Sequence, residues 1–527
     1  MPWYGHGFEP ADPAWGAAFT LLPYWVGEYY RDDQIFARHY AGITAHLESL
    51  IQMASGALLP GGANDPHPGK HGLDGLLAFG AYGDWCPAAG CVECQDPRKD
   101  ATQYNSALVA SFYYISELRI VRDYAATLGR PADAKRYGDI AANASASFMR
   151  HFYDAANKTF REARACTQYL SPQTSISLGH LLGLLPPADA AQITEKLVDS
   201  VAAAGWHVDT GIVGVKHLLP ALSVLGRTDV ALRVMQTRSA PSYGHMIEQG
   251  ATTLWEQWGY AESPSGPIHL NPDSGASLNH VMFASCSAWF FQYLAGIRMA
   301  PGANARGWQR IELYPRVWIP AIHESICVNL SHVSASIVTP RGLLKSEWSC
   351  DASWAPPPPP PHCLPLLPRF AFVATNDTMC VHTQNKSNCG VFFEDKLLHT
   401  KHHVVSCAMC TLTPCRSRVT VDISHIAGLR TGAPFNCTMC GAPPPPPAPP
   451  PIAFFYGVMV PVGSIATVTL PTMGQSSPTI DEGNRTVWEG GKFVGGNVGV
   501  RAGFEDAEGG TVSIEVGGGS YEFRVLR

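Results

Sequence analysis

The sequence predicts a ring of paired α-helices followed by a β-sandwich, and two patterns along the chain support this fold class. From about residue 13 to 297, apolar residues recur at helical spacing in segments separated by Gly and Pro. After Gly307 the pattern changes to alternating, β-branched runs, for example over residues 331–339. We therefore expect an α domain over residues 1–315 and a β domain over residues 316–527.

The helical half divides into hairpins. Residues 100–128 and 132–153 are separated by Gly129-Arg130-Pro131, a combination that ends one helix and begins the next. No fixed period of about 34 or 40 residues is present, so the paired helices favour a closed toroid over a solenoid. The other predicted helices cover residues 14–29, 31–54, 171–183, 187–204, 209–225, 227–237 and 277–297.

The predicted β-sandwich is interrupted by an insertion. Polyproline runs at residues 356–361 and 443–451 act as extended spacers, because proline cannot join the interior of a sheet. Residues 355–452, which include both runs, lack periodicity. We interpret them as a glycosylated, disulfide-pinned excursion, although mistranslated intron sequence would look similar.

Composition bounds the classes of function. The chain has 527 residues, of which 46% are hydrophobic and 15% charged, which is enough for a large core and two to four domains. Its net charge of −6 leaves no basic face for phosphates, so we expect no nucleic-acid partner. No apolar run is long enough for a membrane span, and the residues after Met1 do not resemble a signal peptide.

Cysteines and glycosylation motifs indicate an oxidising compartment, and we expect a secreted or vacuolar protein. Nine of the fifteen cysteines lie between Cys350 and Cys440. Two Cys-x-x-Cys pairs in this region, beginning at Cys407 and Cys437, also have zinc-ribbon spacing, but we favour disulfides because the surrounding sequence is low in complexity. Seven Asn-x-Ser/Thr motifs begin at Asn143, Asn157, Asn329, Asn376, Asn385, Asn436 and Asn484.

Carboxylates lie beside or near tryptophans in three separate places. Sugar sites favour this combination, because the apolar face of a pyranose packs on an aromatic ring while its hydroxyls need polar partners. A carboxylate between aromatic rings can also activate water. The alternative is that the tryptophans only pack in the core. The three places are Trp255-Glu256-Gln257-Trp258, Gly83-Asp84-Trp85 and Asp12-Pro13-Ala14-Trp15.

These segments resemble the family of bacterial-type α-L-rhamnosidases, glycoside hydrolase family 78. The resemblance implies an (α/α)6 barrel that lacks its first helices, over about residues 13–315. It also implies an all-β sandwich over 316–350 and 452–527. Members hydrolyse terminal α-L-rhamnosyl bonds of rhamnosides with inversion and need no organic cofactor. The motifs that carry the resemblance are Asp12-Pro-Ala-Trp-Gly16, Gly83-Asp-Trp85, Thr210-Gly-Ile-Val-Gly214, Pro241-Ser-Tyr-Gly244, Ala251-Thr-Thr-Leu-Trp-Glu-Gln-Trp258 and Ser277-Leu-Asn-His280.

The resemblance also implies roles for individual residues. Glu256 corresponds to the general base that activates water. The expected substrate-binding residues are Trp15, Asp84, Trp85, Trp255 and His280, with Asp84 orienting the cluster. No metal is expected.

The resemblance is incomplete around the general acid. In the family this carboxyl belongs to an Asp-Glu-Arg-containing motif before the Ala-Trp-Gly segment, and Glu9 is the only early candidate here. The family pattern Trp-Gly-Asp-Ala also differs, because this chain has Ala17 at the Asp position. Inverting hydrolysis needs both an acid and a base. We therefore expect weak or no activity from the chain as given.

Two other functions remain open on sequence grounds. A different (α/α)6 inverting hydrolase, such as a trehalase-like or glucoamylase-like enzyme, would share the fold and the Trp-Glu pair. A non-catalytic carbohydrate-binding or wall-associated glycoprotein would explain the polyproline runs. Histidine clusters around His402 and His67 lie in low-complexity or loop sequence, and we interpret them as surface features rather than metal sites.

Overall fold

The computed structural model describes two compact units, one ending at Trp289 and the other beginning at Phe290. The sequence places this boundary at residue 315, whereas residues 297–315 already belong to the second unit. Glu9, Asp12, the His67 and His402 clusters and most of the 355–452 insertion lie outside the described residues. The described residues are 13–56, 72–78, 82–88, 106–161, 170–258, 277–319, 324–350, 404–405, 418–420, 452–495, 497–506 and 510–526.

Pairs of consecutive helices build the described part of the first unit. The four pairs are α2 (Ala18–Tyr30) with α3 (Gln34–Ala54), α4 (Ala107–Thr127) with α5 (Pro131–Phe152), α6 (Pro172–Leu181) with α7 (Ala190–Ala203), and α8 (Ile212–Val224) with α9 (Thr228–Gln236). The short helices are α1 (Pro13–Gly16), α10 (Tyr243–Glu248) and α11 (Cys286–Trp289), and two short hairpins pair β1 (Gly72–Leu73) with β2 (Leu76–Leu77) and β3 (Tyr153–Asp154) with β4 (Thr159–Phe160). The predicted paired-helix architecture is therefore confirmed.

The helices differ in burial in the way that a two-layered ring requires. Helices α4, α6 and α8 are buried on most sides, and α6 packs against both α4 and α8. Helices α5 and α7 bury one face only, as amphipathic helices at a surface do. These mostly buried helices therefore form the inner layer, and their amino ends carry the loops discussed below.

The prediction of one helix over residues 277–297 is wrong. A 3₁₀ turn covers Val281–Ser285, α11 follows, and residues Phe290–Leu294 form a π-helical turn. The next residues begin a strand. Residues 277–280 are non-helical because their backbone groups bond to the segment around Glu256 instead of to each other.

The second unit contains two main sheets, as the alternating pattern predicts. The first has the strand order β11-β12-β9-β10-β13-β20-β15-β16-β17 and the other β18-β19-β14-β6-β5. All pairings are antiparallel except β14 with β6. The bounds are β5 (Ile297–Met299), β6 (Arg310–Leu313), β7 (Trp318–Ile319), β8 (Glu324–Ser325), β9 (His332–Thr339), β10 (Gly342–Cys350), β11 (Val404–Val405), β12 (Arg418–Thr420), β13 (Ile452–Val460), β14 (Ile465–Pro471), β15 (Ile480–Glu482), β16 (Arg485–Glu489), β17 (Lys492–Phe493), β18 (Val500–Glu505), β19 (Thr511–Val516) and β20 (Gly519–Leu526).

Two features bear on the predicted insertion and on its cysteines. Strands β11 and β12 lie within residues 355–452, and β12 extends the first sheet through β9. Cys350, at the end of β10, forms a disulfide with Cys327. This bond agrees with the disulfide interpretation for Cys350, while the two Cys-x-x-Cys pairs lie outside the described residues. Over the described part of the chain, no helix combines the length and apolar character needed to cross a bilayer.

His217 on the inner helix α8 predicts a specific acid sensitivity. Its Nε2 is buried without a hydrogen-bond partner among the described residues. Burial, with a smaller contribution from Lys216, lowers the pKa of His217 from 6.5 to about 3. Below pH 6.5 the unfolded chain gains a proton that the folded chain excludes. The free energy of unfolding should therefore fall by up to about 2 kcal/mol between pH 7 and pH 5, and His217→Leu should remove this loss.

Urea unfolding of the wild type and of His217→Leu at pH 7 and pH 5 measures this effect. His39→Leu serves as the matched control, because His39 is an exposed histidine on α3. The control should retain the acid sensitivity of the wild type. Equal acid sensitivity in His217→Leu and the wild type would show that His217 does not contribute.

Candidate active site

Two hydrogen bonds hold the Glu256 carboxylate in place. The indole N–H of Trp85 donates to Oε1 at 3.2 Å, and the backbone N–H of Ser277 donates to Oε2 at 2.9 Å. The side chain retains 19% of its exposure. Glu256 is therefore oriented and still reachable by solvent, as a general base must be.

His280 reaches the same place through backbone pairing of two loop segments. The N–H of Glu256 donates to the carbonyl of Ser277 at 2.9 Å, and the N–H of His280 donates to the carbonyl of Leu254 at 2.8 Å. These bonds bring His280 Nε2 to 4.0 Å from Glu256 Oε1. The structure therefore joins Trp85, Glu256 and His280, three of the predicted site residues, in one cluster.

Asp84 anchors the loop that carries Trp85. Its carboxylate accepts bonds from the Thr174 hydroxyl and from the backbone amides of Gly211, Val213 and Gly214 at the amino end of α8. Burial raises the pKa of Asp84, and these four donors, supported by the helix dipole, oppose that rise. Asp84 is only 2% exposed. Its surroundings favour the predicted orienting role over direct contact with a substrate.

Two glycines allow this close approach. A Cβ on Gly211 would collide with the backbone carbonyls of Asp84 and Trp85. A Cβ on Gly214 would overlap the Thr174 hydroxyl and lie 2.8 Å from Asp84 Oδ2. The N–H of Ile212 also donates to the Trp85 carbonyl at 2.9 Å. The motif that begins at Thr210 therefore packs directly against the loop that carries Trp85. This close packing explains why the motif contains glycines.

Aromatic rings continue from Trp85 towards Trp15. Tyr82 lies between them, with its ring centroid 5.4 Å from Trp85 and 5.0 Å from Trp15. Sequence reasoning missed Tyr82, although it directly precedes Gly83-Asp84-Trp85 and could have been found from that position. The three rings form an apolar surface of the kind that can pack against a pyranose ring. Ala17, at the position of the family's Asp, is fully buried and supplies no polar group.

The tryptophans on either side of Glu256 are buried. Trp258 stacks on Phe283 at 4.0 Å, meets Tyr243 edge to face, and donates its indole N–H to the carbonyl of Thr210. Trp255 is 5% exposed, so its predicted contact with substrate is limited to a small part of its ring. The packing alternative is thus correct for Trp258, but Glu256 itself is fixed in the cluster rather than free in solvent.

Cys86, which directly follows Trp85, is buried beside this cluster. Burial raises the pKa of its thiol, and the negative charges of Glu256 and Asp84 add to the effect, while a bond to Gln257 opposes it. The thiol is therefore protonated and unreactive at neutral pH. Across the described residues, no group of three or more His, Cys, Asp or Glu side chains is arranged to hold a metal ion.

Comparison with known proteins identifies the family. The model of the bacterial alpha-L-rhamnosidase 6 hairpin glycosidase domain matches residues 1–294. An alpha-L-rhamnosidase of Streptomyces avermitilis is 28% identical over 302 residues, which cover 57% of this chain and 25% of that protein. Another, from Alteromonas sp. (strain LOR), is 24% identical over 335 residues, which cover 64% of this chain and 32% of that protein.

The fold agrees with these relatives. The solved alpha-L-rhamnosidase of Dictyoglumus thermophilum superposes with a TM-score of 0.62 at 21% identity, over 100% of this chain and 41% of that one. This chain thus spans between a quarter and a third of the length of the two sequence relatives. Because the family model covers more than half of its residues, the chain belongs to the bacterial α-L-rhamnosidase family with a six-hairpin glycosidase domain.

Proposed function

We propose that this chain binds a terminal α-L-rhamnosyl residue and supplies the general base for its hydrolysis with inversion. The observation that carries the proposal is the Glu256 carboxylate, held by Trp85 and Ser277 at the end of an aromatic surface. The names of the sequence relatives, α-L-rhamnosidase, support rhamnosides as the substrate class.

The substrates that this site could hydrolyse depend on whether a general acid is available. Inverting glycosidases use two carboxyl groups about 6.5–9.5 Å apart, one to activate water and one to protonate the leaving oxygen. Among the described residues, Glu256 is the carboxylate that contacts Trp85. Asp84 is buried, and its oxygens are occupied by four protein donors. We therefore propose that the chain is impaired on ordinary rhamnosides and acts better on a rhamnosyl donor with a spontaneous leaving group.

A comparison of two substrates tests this proposal. α-L-Rhamnosyl fluoride loses fluoride without protonation, whereas methyl α-L-rhamnoside must have its leaving oxygen protonated. We expect the chain to hydrolyse the fluoride to β-L-rhamnose and to act on the methyl glycoside at least about 10²-fold more slowly. Fluoride release measures the rate on the fluoride. The anomeric NMR signals of released rhamnose measure the rate on the methyl glycoside and the configuration of the product. Binding of L-rhamnose with no hydrolysis of the fluoride would instead identify a non-catalytic carbohydrate-binding protein.

We also propose that the protein functions in a secretory or vacuolar compartment. The Cys327–Cys350 disulfide supports this location, because such bonds persist in oxidising compartments. Two of the glycosylation motifs begin at Asn157 and Asn484, which are both exposed in turns between strands. Glycans attached there would face solvent and leave the strand pairing intact.

A further inference from the structure

Glu256 and His280 lie close enough for one water molecule to bridge them from the side. Nε2 of His280 lies 4.0 Å from Oε1 of Glu256, which is too far for a direct hydrogen bond. The side chains are 29% and 19% exposed, respectively, so solvent reaches both. A water oxygen about 2.8 Å from each atom can bridge them from beside the line that joins them, which we call the bridging position.

The protein determines which nitrogen of His280 carries the proton. The backbone N–H of Met282 donates to Nδ1 at 3.4 Å, so that His280 caps the 3₁₀ turn Val281–Ser285. A neutral imidazole that accepts through Nδ1 carries its hydrogen on Nε2. The ring therefore presents an N–H donor to the bridging position.

Glu256 presents the complementary acceptor. Its Oε1 accepts from Trp85 and its Oε2 accepts from the Ser277 amide, and each carboxylate oxygen can accept a further bond. A water in the bridging position would accept a hydrogen bond from His280 and donate one to Glu256. One lone pair of the water oxygen would then remain for attack on carbon.

We infer that His280 is a catalytic residue that holds the nucleophilic water together with Glu256. This inference rests on the proposed function. In the step, the water oxygen bonds to the anomeric carbon, and its proton passes to Glu256. The bond from that carbon to the leaving group breaks, and the leaving group takes the electron pair. His280 keeps its proton throughout and fixes only the position and orientation of the water.

Two matched substitutions separate the roles of the two ring nitrogens. In His280→Asn, the side-chain oxygen can replace Nδ1 as the cap, but nothing replaces the Nε2 donor. In His280→Gln, the amide N–H can reach the position of Nε2, but the cap is lost. With α-L-rhamnosyl fluoride, we expect kcat to fall about 10²-fold in the Asn variant and to recover in large part in the Gln variant. The Kd of L-rhamnose, measured by calorimetry, should change little in either.

The outcomes distinguish this inference from the proposed function. If His280 only contacts the sugar, the Asn variant should weaken rhamnose binding and leave kcat unchanged. In that case the inference about His280 is wrong, while the proposed function still stands. If the wild-type chain neither binds rhamnose nor releases fluoride, the proposed function fails and this inference fails with it.

An external nucleophile provides an independent test. In Glu256→Ala, azide can replace water and needs no base. Its nitrogen bonds to the anomeric carbon as fluoride leaves, which gives β-L-rhamnosyl azide. We expect His280→Asn in the same background to lower the rate of azide product formation, because azide would lose its N–H donor. An equal rate in the single and double variants would show that His280 does not touch the nucleophile.

Discussion

Glu256→Gln is expected to lower the hydrolysis of α-L-rhamnosyl fluoride by about 10²- to 10⁴-fold. Glutamine has the size of glutamate but cannot take the proton of the attacking water. It can also accept from only one of its two present donors, Trp85 and the Ser277 amide, through its single oxygen. The loss should therefore appear in kcat. The initial rate of fluoride release at saturating substrate measures it.

Glu248→Gln is the matched control for this substitution. Glu248 ends helix α10, only eight residues before Glu256 in the chain, and forms an exposed ion pair with Arg238. Exposed pairs of this kind contribute little to stability, so the control should hydrolyse the fluoride at the wild-type rate. Near-wild-type activity in Glu256→Gln would exclude Glu256 as the base, and the search would then turn to another carboxylate.

Gly214→Ala is expected to disrupt both folding stability and the site. The new Cβ would overlap the Thr174 hydroxyl and lie 2.7 Å from Thr210 Cβ and 2.8 Å from Asp84 Oδ2. All three neighbours belong to tightly packed loop or helix ends, so relief requires movement of the Asp84 loop. We expect a loss of about 1–3 kcal/mol or more in the free energy of unfolding. L-Rhamnose binding should weaken as well, because Trp85 follows Asp84.

Gly138→Ala provides the comparison. Gly138 lies on the outer helix α5, where a Cβ would meet Cδ and Cγ of the exposed Arg122 side chain at 3.3 and 3.7 Å. Alanine favours a helix over glycine by about 1 kcal/mol, so this variant should be neutral or slightly stabilised. Urea unfolding and calorimetry with L-rhamnose should be run on both variants. If Gly214→Ala resembles Gly138→Ala in both measurements, neither stability nor rhamnose binding depends on the present position of Asp84.

The paired-helix half, the β half and most helix positions could be predicted from the sequence. Helical and strand periodicity are local properties, and the buried faces of α5 and α7 follow them directly. The motifs around Trp85, Glu256 and His280 were also recognisable, since their residue types are unusual and occur in a characteristic order. The helix predicted over residues 277–297 failed because apolar spacing there continues through a 3₁₀ turn and a π-helical turn.

Only the tertiary structure decided how these residues work together. Trp85 and Glu256 are 171 positions apart, and no local pattern states which carboxylate an indole N–H will reach. The same is true of Asp84, whose predicted orienting role depends on hydrogen bonds from Thr174 and from the amino end of α8. The sequence determines local geometry because backbone sterics and side-chain periodicity act between residues that are close in the chain. The site depends on hydrogen bonds between distant segments, and these form only once the packed helices have brought their loops together.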